Sequence, residues 1–130
     1  ASKVNGRTII ENCPEGTKNL GYVQNGDYAL YQGVRFDQTP LKFNLRYSGE
    51  GNPQITLRLD SLDGPVIAQL TANSTGSYSS YKTASADVTY DGEITGYHDI
   101  YLCLNAGLNV NWFELTGKNT MNLSPARQTV

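Results

Sequence analysis

Leu41-Lys42-Phe43-Asn44-Leu45-Arg46-Tyr47 alternates apolar and polar side chains without a break. A period of two puts Leu41, Phe43, Leu45 and Tyr47 on one face of an extended chain, and the polar residues on the other. That is the pattern of a half-buried strand. It recurs outward along the sequence. Ile55, Leu57 and Leu59 alternate with Gln54, Thr56 and Arg58, and Ile100, Leu102 and Leu104 share one parity. Arg7–Glu11, Ala29–Phe36, Val66–Leu70, Lys82–Val88 and Val110–Leu115 are further strand candidates, parted by turns and loops rich in Gly, Pro, Asn and Asp. About eight or nine short strands at intervals of roughly ten residues, with no helical period, predict an all-β chain. The expected fold is a single antiparallel β-sandwich, jelly-roll-like, over residues 1–117. Periodicity fades after Gly117, so residues 118–130 read as a tail or linker.

A chain of 130 residues suits one core. Charged residues make up 17% of it and the net charge is -2, with Lys and Arg scattered, so the basic footprint of a nucleic-acid binder is absent. No apolar run reaches the length of a membrane span. Thirteen Gly and nine Tyr, with many Asn, Ser and Thr, are the composition of a secreted β-rich domain. The sequence starts at Ala1 with no initiating Met and no signal peptide, and reads as a mature module excised from a longer protein. A secreted, monomeric module is expected. Cys13 and Cys103 form no CxxC pair. They either pair, closing a long loop worth about 4 kcal/mol, or stand as separate thiols; the sequence leaves both open.

Catalysis needs a constellation, and the sequence offers none. His98 is the single histidine and shares parity with Ile100, the position of a satisfied histidine at a strand start. There is no Gly-x-Ser-x-Gly elbow, and neither thiol has a base near it in sequence. Carboxylates flank turns at Asp60 and Asp63 and at Asp91 and Glu93; a glycosidase pair drawn from such positions is the rival reading. A structural adhesion sandwich is the other. Binding asks for less than catalysis. A sugar presents an apolar C–H face to an aromatic plane and a rim of hydroxyls to amides and carboxylates. Tyr22, Tyr78, Asn105 and Asn109 place such groups in or beside loops.

The stretch Asn19-Leu20-Gly21-Tyr22-Val23-Gln24-Asn25-Gly26-Asp27-Tyr28 concentrates these features. It reads as a strand ending in Tyr22 and Val23, a reversal in which Asn25-Gly26 takes the positive-φ positions, and a second aromatic. Taken alone this is a hairpin whose tyrosines cover a sheet.

The same stretch, extended to Tyr31, resembles the opening motif of carbohydrate-binding module family 6. Four more segments match that family in order and spacing: Arg58-Leu59-Asp60-Ser61 with Gly64-Pro65, Thr75-Gly76-Ser77-Tyr78, His98-Asp99-Ile100-Tyr101-Leu102, and Asn109-Val110-Asn111-Trp112-Phe113. The resemblance runs from about Glu11 to Leu115 and is greatest to xylan-binding members. It implies a non-catalytic β-sandwich that tethers a parent polysaccharide hydrolase to its substrate, xylan first, with β-1,3-glucan, cello-oligosaccharides and agar-type chains as alternatives. By motif, Tyr22 and Tyr78 would sandwich a sugar ring and Asn109 would bond its hydroxyls. Glu11 would tune which chain end enters, and Tyr28 would serve a second, concave face. The family tends to carry Trp where this chain has Tyr78, which implies weaker stacking here. It also carries a structural calcium held in part by an opening Glu-Ala-Glu strand. Asn111 matches the partner ligand, whereas the chain begins after that strand, leaving a sheet edge open.

Overall fold

The computed structural model describes residues 3–6, 8–16, 18–117 and 121–123. Eleven strands form among them, and no helix: β1 (Lys3–Val4), β2 (Ile9–Asn12), β3 (Lys18–Gly21), β4 (Tyr28–Phe36), β5 (Lys42–Gly49), β6 (Gln54–Leu59), β7 (Val66–Thr71), β8 (Ser77–Asp87), β9 (Gly96–Cys103), β10 (Asn109–Thr116) and β11 (Met121–Leu123). One sheet runs β1-β4-β9-β6-β7; the other runs β2-β3-β10-β5-β8, with β11 added to β10. Every pairing is antiparallel. The expected antiparallel sandwich is what folds.

The alternating stretches supply the core between the sheets. Phe43, Leu45 and Tyr47 of β5, Ile55, Leu57 and Leu59 of β6, and Ile100 and Leu102 of β9 are buried. At the centre, Phe113 meets Tyr31 edge-on at 5.1 Å and Phe43 at 5.7 Å, the arrangement ring quadrupoles favour. Leu41 departs from the pattern it opens: it lies before β5 and is 65% exposed.

Three boundaries differ from the sequence reading, each because a backbone group found a partner that periodicity does not reveal. The segment between β3 and β4 is no hairpin, since the two strands lie in different sheets and the turn carries the chain from one layer to the other. Within it, Gly26 alone of the Asn25-Gly26 pair takes a positive φ (84°). Lys3 and Val4 pair with Leu30 and Ala29, so the edge of β4 expected to lie open is covered over that length. Residues 121–123, expected in the tail, add a strand: Leu123 pairs with Phe113 and is fully buried. The first expected strand included Arg7, and the remainder of the expected tail also falls outside the described residues. The two cysteines are both free thiols.

Candidate functional site

Asp27 fixes the sheet-to-sheet turn. Its buried carboxylate accepts the Thr8 hydroxyl at 2.6 Å and the Gln24 N–H at 3.0 Å. The Asp27 N–H closes the turn on the Gln24 carbonyl at 3.1 Å. The turn then docks on the β9–β10 loop: Gly26 N–H donates to the Leu104 carbonyl at 3.1 Å, Leu104 N–H to the Asp27 carbonyl at 2.7 Å, and Ala106 N–H to Asn25 Oδ1 at 2.9 Å. Just before this anchored turn, Tyr22 takes a left-handed φ of 57°, a conformation that costs a non-glycine residue about 1–2 kcal/mol. The corner throws its ring outward, 67% exposed.

Tyr78 arrives from the other side. The β5–β8 register pairs Ser48 with Tyr81 and then Gly49 with Ser77, so Tyr78, Ser79 and Ser80 bulge from the ladder. A bulge re-aims side chains, and Tyr78 is 40% exposed. The buried Ser48 hydroxyl donates to the Tyr78 carbonyl at 2.7 Å and holds the bulge in place. Asn109, opposite Ser48 on β10, stands beside it. A third wall is glycine backbone. Gly51 N–H donates to the Gly107 carbonyl at 3.1 Å, and a Cβ on Gly49 would come within 2.1 Å of that same oxygen. Only glycine permits loops to approach that closely.

Tyr22, Tyr78, Asn109 and Glu11 thus line one open cleft of about 450 Å³, with Val23, Gln24, Ala106, Gly107 and Leu108. The four come from three strands and a turn across the chain. Tyr28 lies elsewhere, on β4, its ring tilted against Tyr101 at 5.7 Å with Lys3 Nζ 5.9 Å from its centre. Asn105 does not line the cleft; its amide donates to the Gln54 carbonyl at 2.9 Å. Sequence reasoning missed Gln24 and the 106–108 backbone, whose one local signal was Gly107. His98 is satisfied: Nδ1 faces Asp60 at 2.9 Å and Nε2 the Thr95 carbonyl at 2.9 Å.

Asn111 sits in a bulge of β10, buried, and its amide nitrogen donates to Glu15 at 2.6 Å. The same carboxylate takes a fork of bonds from Arg46, at 2.9 Å from Nη2 and 3.1 Å from Nε. The Arg46 bonds hold the Glu15 carboxyl below its ordinary pKa, against an opposing effect of burial and with further help from Asn111. Calcium binds through several oxygen ligands, carboxylates foremost. Here the amide presents its nitrogen, and a guanidinium already faces the carboxylate. No group of three or more His, Cys, Asp or Glu suited to a metal occurs among the described residues. Among the described residues, Asn111 and Arg46 thus share the Glu15 carboxylate.

A two-layer sandwich with an open cleft of aromatic, amide and carboxylate side chains is built as a binding domain. The model of the carbohydrate binding module (family 6) matches residues 2–117, and the chain belongs to that family. It is a non-catalytic carbohydrate-binding module. Two proteins of Thermoclostridium stercorarium, each an endo-1,4-beta-xylanase A, are 33% identical over 100 residues, 77% of this chain. The chain spans only 19% and 15% of their lengths. Among solved structures, CsCBM6-3 of Clostridium stercorarium in complex with cellobiose superposes with a TM-score of 0.81 at 26% identity, covering 89% of this chain and 87% of the other. A family 6 module of Clostridium cellulolyticum in complex with xylose gives a TM-score of 0.75 at 33% identity, over 85% and 87% of the two chains.

Proposed function

We propose that the cleft binds xylan, with Tyr22 and Tyr78 stacking on the faces of a sugar ring while Asn109 and Glu11 bond its hydroxyls. The observation that carries this reading is the convergence of two exposed tyrosine rings with an amide and a carboxylate in one cleft. Xylose lacks a hydroxymethyl group, so a site that grips ring faces with few polar contacts accommodates it. The identity to the xylanases and to the module solved with xylose supports the same choice. The module's role is to hold a parent hydrolase on its polymer, raising the local enzyme concentration by tethering. An extracellular location goes with that role, because polysaccharides are too large to enter a cell intact.

Titration calorimetry with xylohexaose, cellohexaose and laminarihexaose tests the reading. Xylohexaose is expected to bind most tightly, with Tyr22→Ala and Tyr78→Ala each weakening it by tenfold or more. Tighter binding of cellohexaose or laminarihexaose would reassign the ligand. Unchanged affinity in both variants would remove the cleft from the account.

A further inference from the structure

Gly21 is a glycine without a conformational reason. Its φ is not among the left-handed ones, and it is the last residue of β3, still paired with Ile9, where an ordinary side chain would be accepted by the backbone. The reason lies in what occupies the missing side chain's space. A Cβ on Gly21 would stand 2.0 Å from Glu11 Oε1, 2.5 Å from its Cδ and 3.2 Å from Oε2, so the Glu11 carboxylate lies against the Gly21 backbone. Glu11 reaches this seat from β2, where it pairs directly with Asn19. Asn19 is fully buried, and its amide nitrogen donates to Glu11 Oε1 at 3.3 Å and to the Leu20 carbonyl at 3.3 Å. The next residue after Gly21 is Tyr22, at its left-handed corner. The seat of the carboxylate and the aim of the ring are thus set by consecutive residues.

We propose that Gly21 is a positioning residue for sugar recognition: its missing Cβ makes the seat, with the Asn19 amide as anchor, in which Glu11 accepts hydrogen bonds from hydroxyls at the edge of a ring stacked on Tyr22. The inference rests on the cleft reading above. A carboxylate has about four lone-pair sites, so the Asn19 bond leaves acceptor capacity for a pair of neighbouring hydroxyls. Holding the carboxylate before the sugar arrives spares the ordering cost of a long side chain at binding. The ligand class is a neutral sugar with adjacent hydroxyls; a uronic acid at this position would meet a fixed like charge.

Gly21→Ala moves the carboxylate without removing it, because the atoms it displaces are the far end of a flexible side chain and its φ suits alanine. Gly21→Ala, Glu11→Gln and the double variant are titrated calorimetrically with xylohexaose, cellohexaose and laminarihexaose, and their thermal unfolding is followed in the absence of sugar. The expected result is about a tenfold loss in each single variant for the hexaose that wild type binds. The double variant loses no more than the worse single one, the non-additivity of two changes acting through one group. Wild-type affinity in Gly21→Ala, or losses that add in the double variant, would overturn the positioning role while leaving the cleft reading intact. Silence of wild type with all three hexaoses would overturn both. An unfolded Gly21→Ala would make the glycine structural and overturn the proposal as well.

Discussion

Removing the Asp27 carboxylate is the sharpest test of how the turn is held. In Asp27→Ala the Thr8 hydroxyl, 2.6 Å from the carboxylate, and the Gln24 N–H, 3.0 Å from it, both lose their acceptor. The Thr8 bond is buried and the Gln24 bond partly so. An orphaned buried donor costs about 1–3 kcal/mol. The hydroxyl can rotate towards another acceptor and the backbone N–H cannot, which places the sum at about 3 kcal/mol. For a domain of this size each kcal/mol lowers Tm by about 3–5 °C, so a fall of about 10–15 °C is expected. Both bonds end on one oxygen, Oδ2, so Asp27→Asn with its amide oxygen in that place keeps both as neutral bonds and should cost about 1 kcal/mol. Thermal and urea unfolding followed by the fluorescence of Trp112, the single tryptophan, reads both variants. Equal losses in the alanine and asparagine variants, or less than about 1 kcal/mol in the alanine variant, would refute the carboxylate as the turn's anchor.

Three further outcomes are expected. Chelator or added calcium should leave the Tm of the protein unchanged, whereas Arg46→Met, which empties one side of the Glu15 fork, should lower stability by about 1 kcal/mol, as suits a partly exposed ion pair; a drop in Tm on chelation would show that a cation is bound after all. Leu123→Ala should cost about 2–4 kcal/mol in urea unfolding, because Leu123 is fully buried beside Phe113; an unaffected variant would return residues 121–123 to the tail.

The class of fold was legible because burial in a sandwich is written locally. Alternate residues of Phe43–Tyr47 and Ile55–Leu59 go inside, and a period of two needs no knowledge of partners. The strand at Met121–Leu123 was not legible, since three residues without clear alternation become a strand only through the partner edge that β10 offers. The two tyrosines could be named from their motifs, but their meeting could not be derived from spacing. Tyr22 depends on a turn docked to residues 104–106, and Tyr78 on a bulge pinned by Ser48.

By itself, the sequence determined an all-β chain, the core faces of its longer strands, and a set of aromatic and amide residues suited to sugars. Tertiary structure decided the rest. It made the Gly26 turn a passage between layers instead of a hairpin, left Asn111 bound to Glu15, and gave Gly21 its role as the seat of the Glu11 carboxylate. The physical reason is the range of the forces involved. Side-chain alternation and turn chemistry act between near neighbours and leave a mark in the order of residues, whereas a hydrogen bond or a close backbone approach between distant segments exists only once the sheets have brought them together.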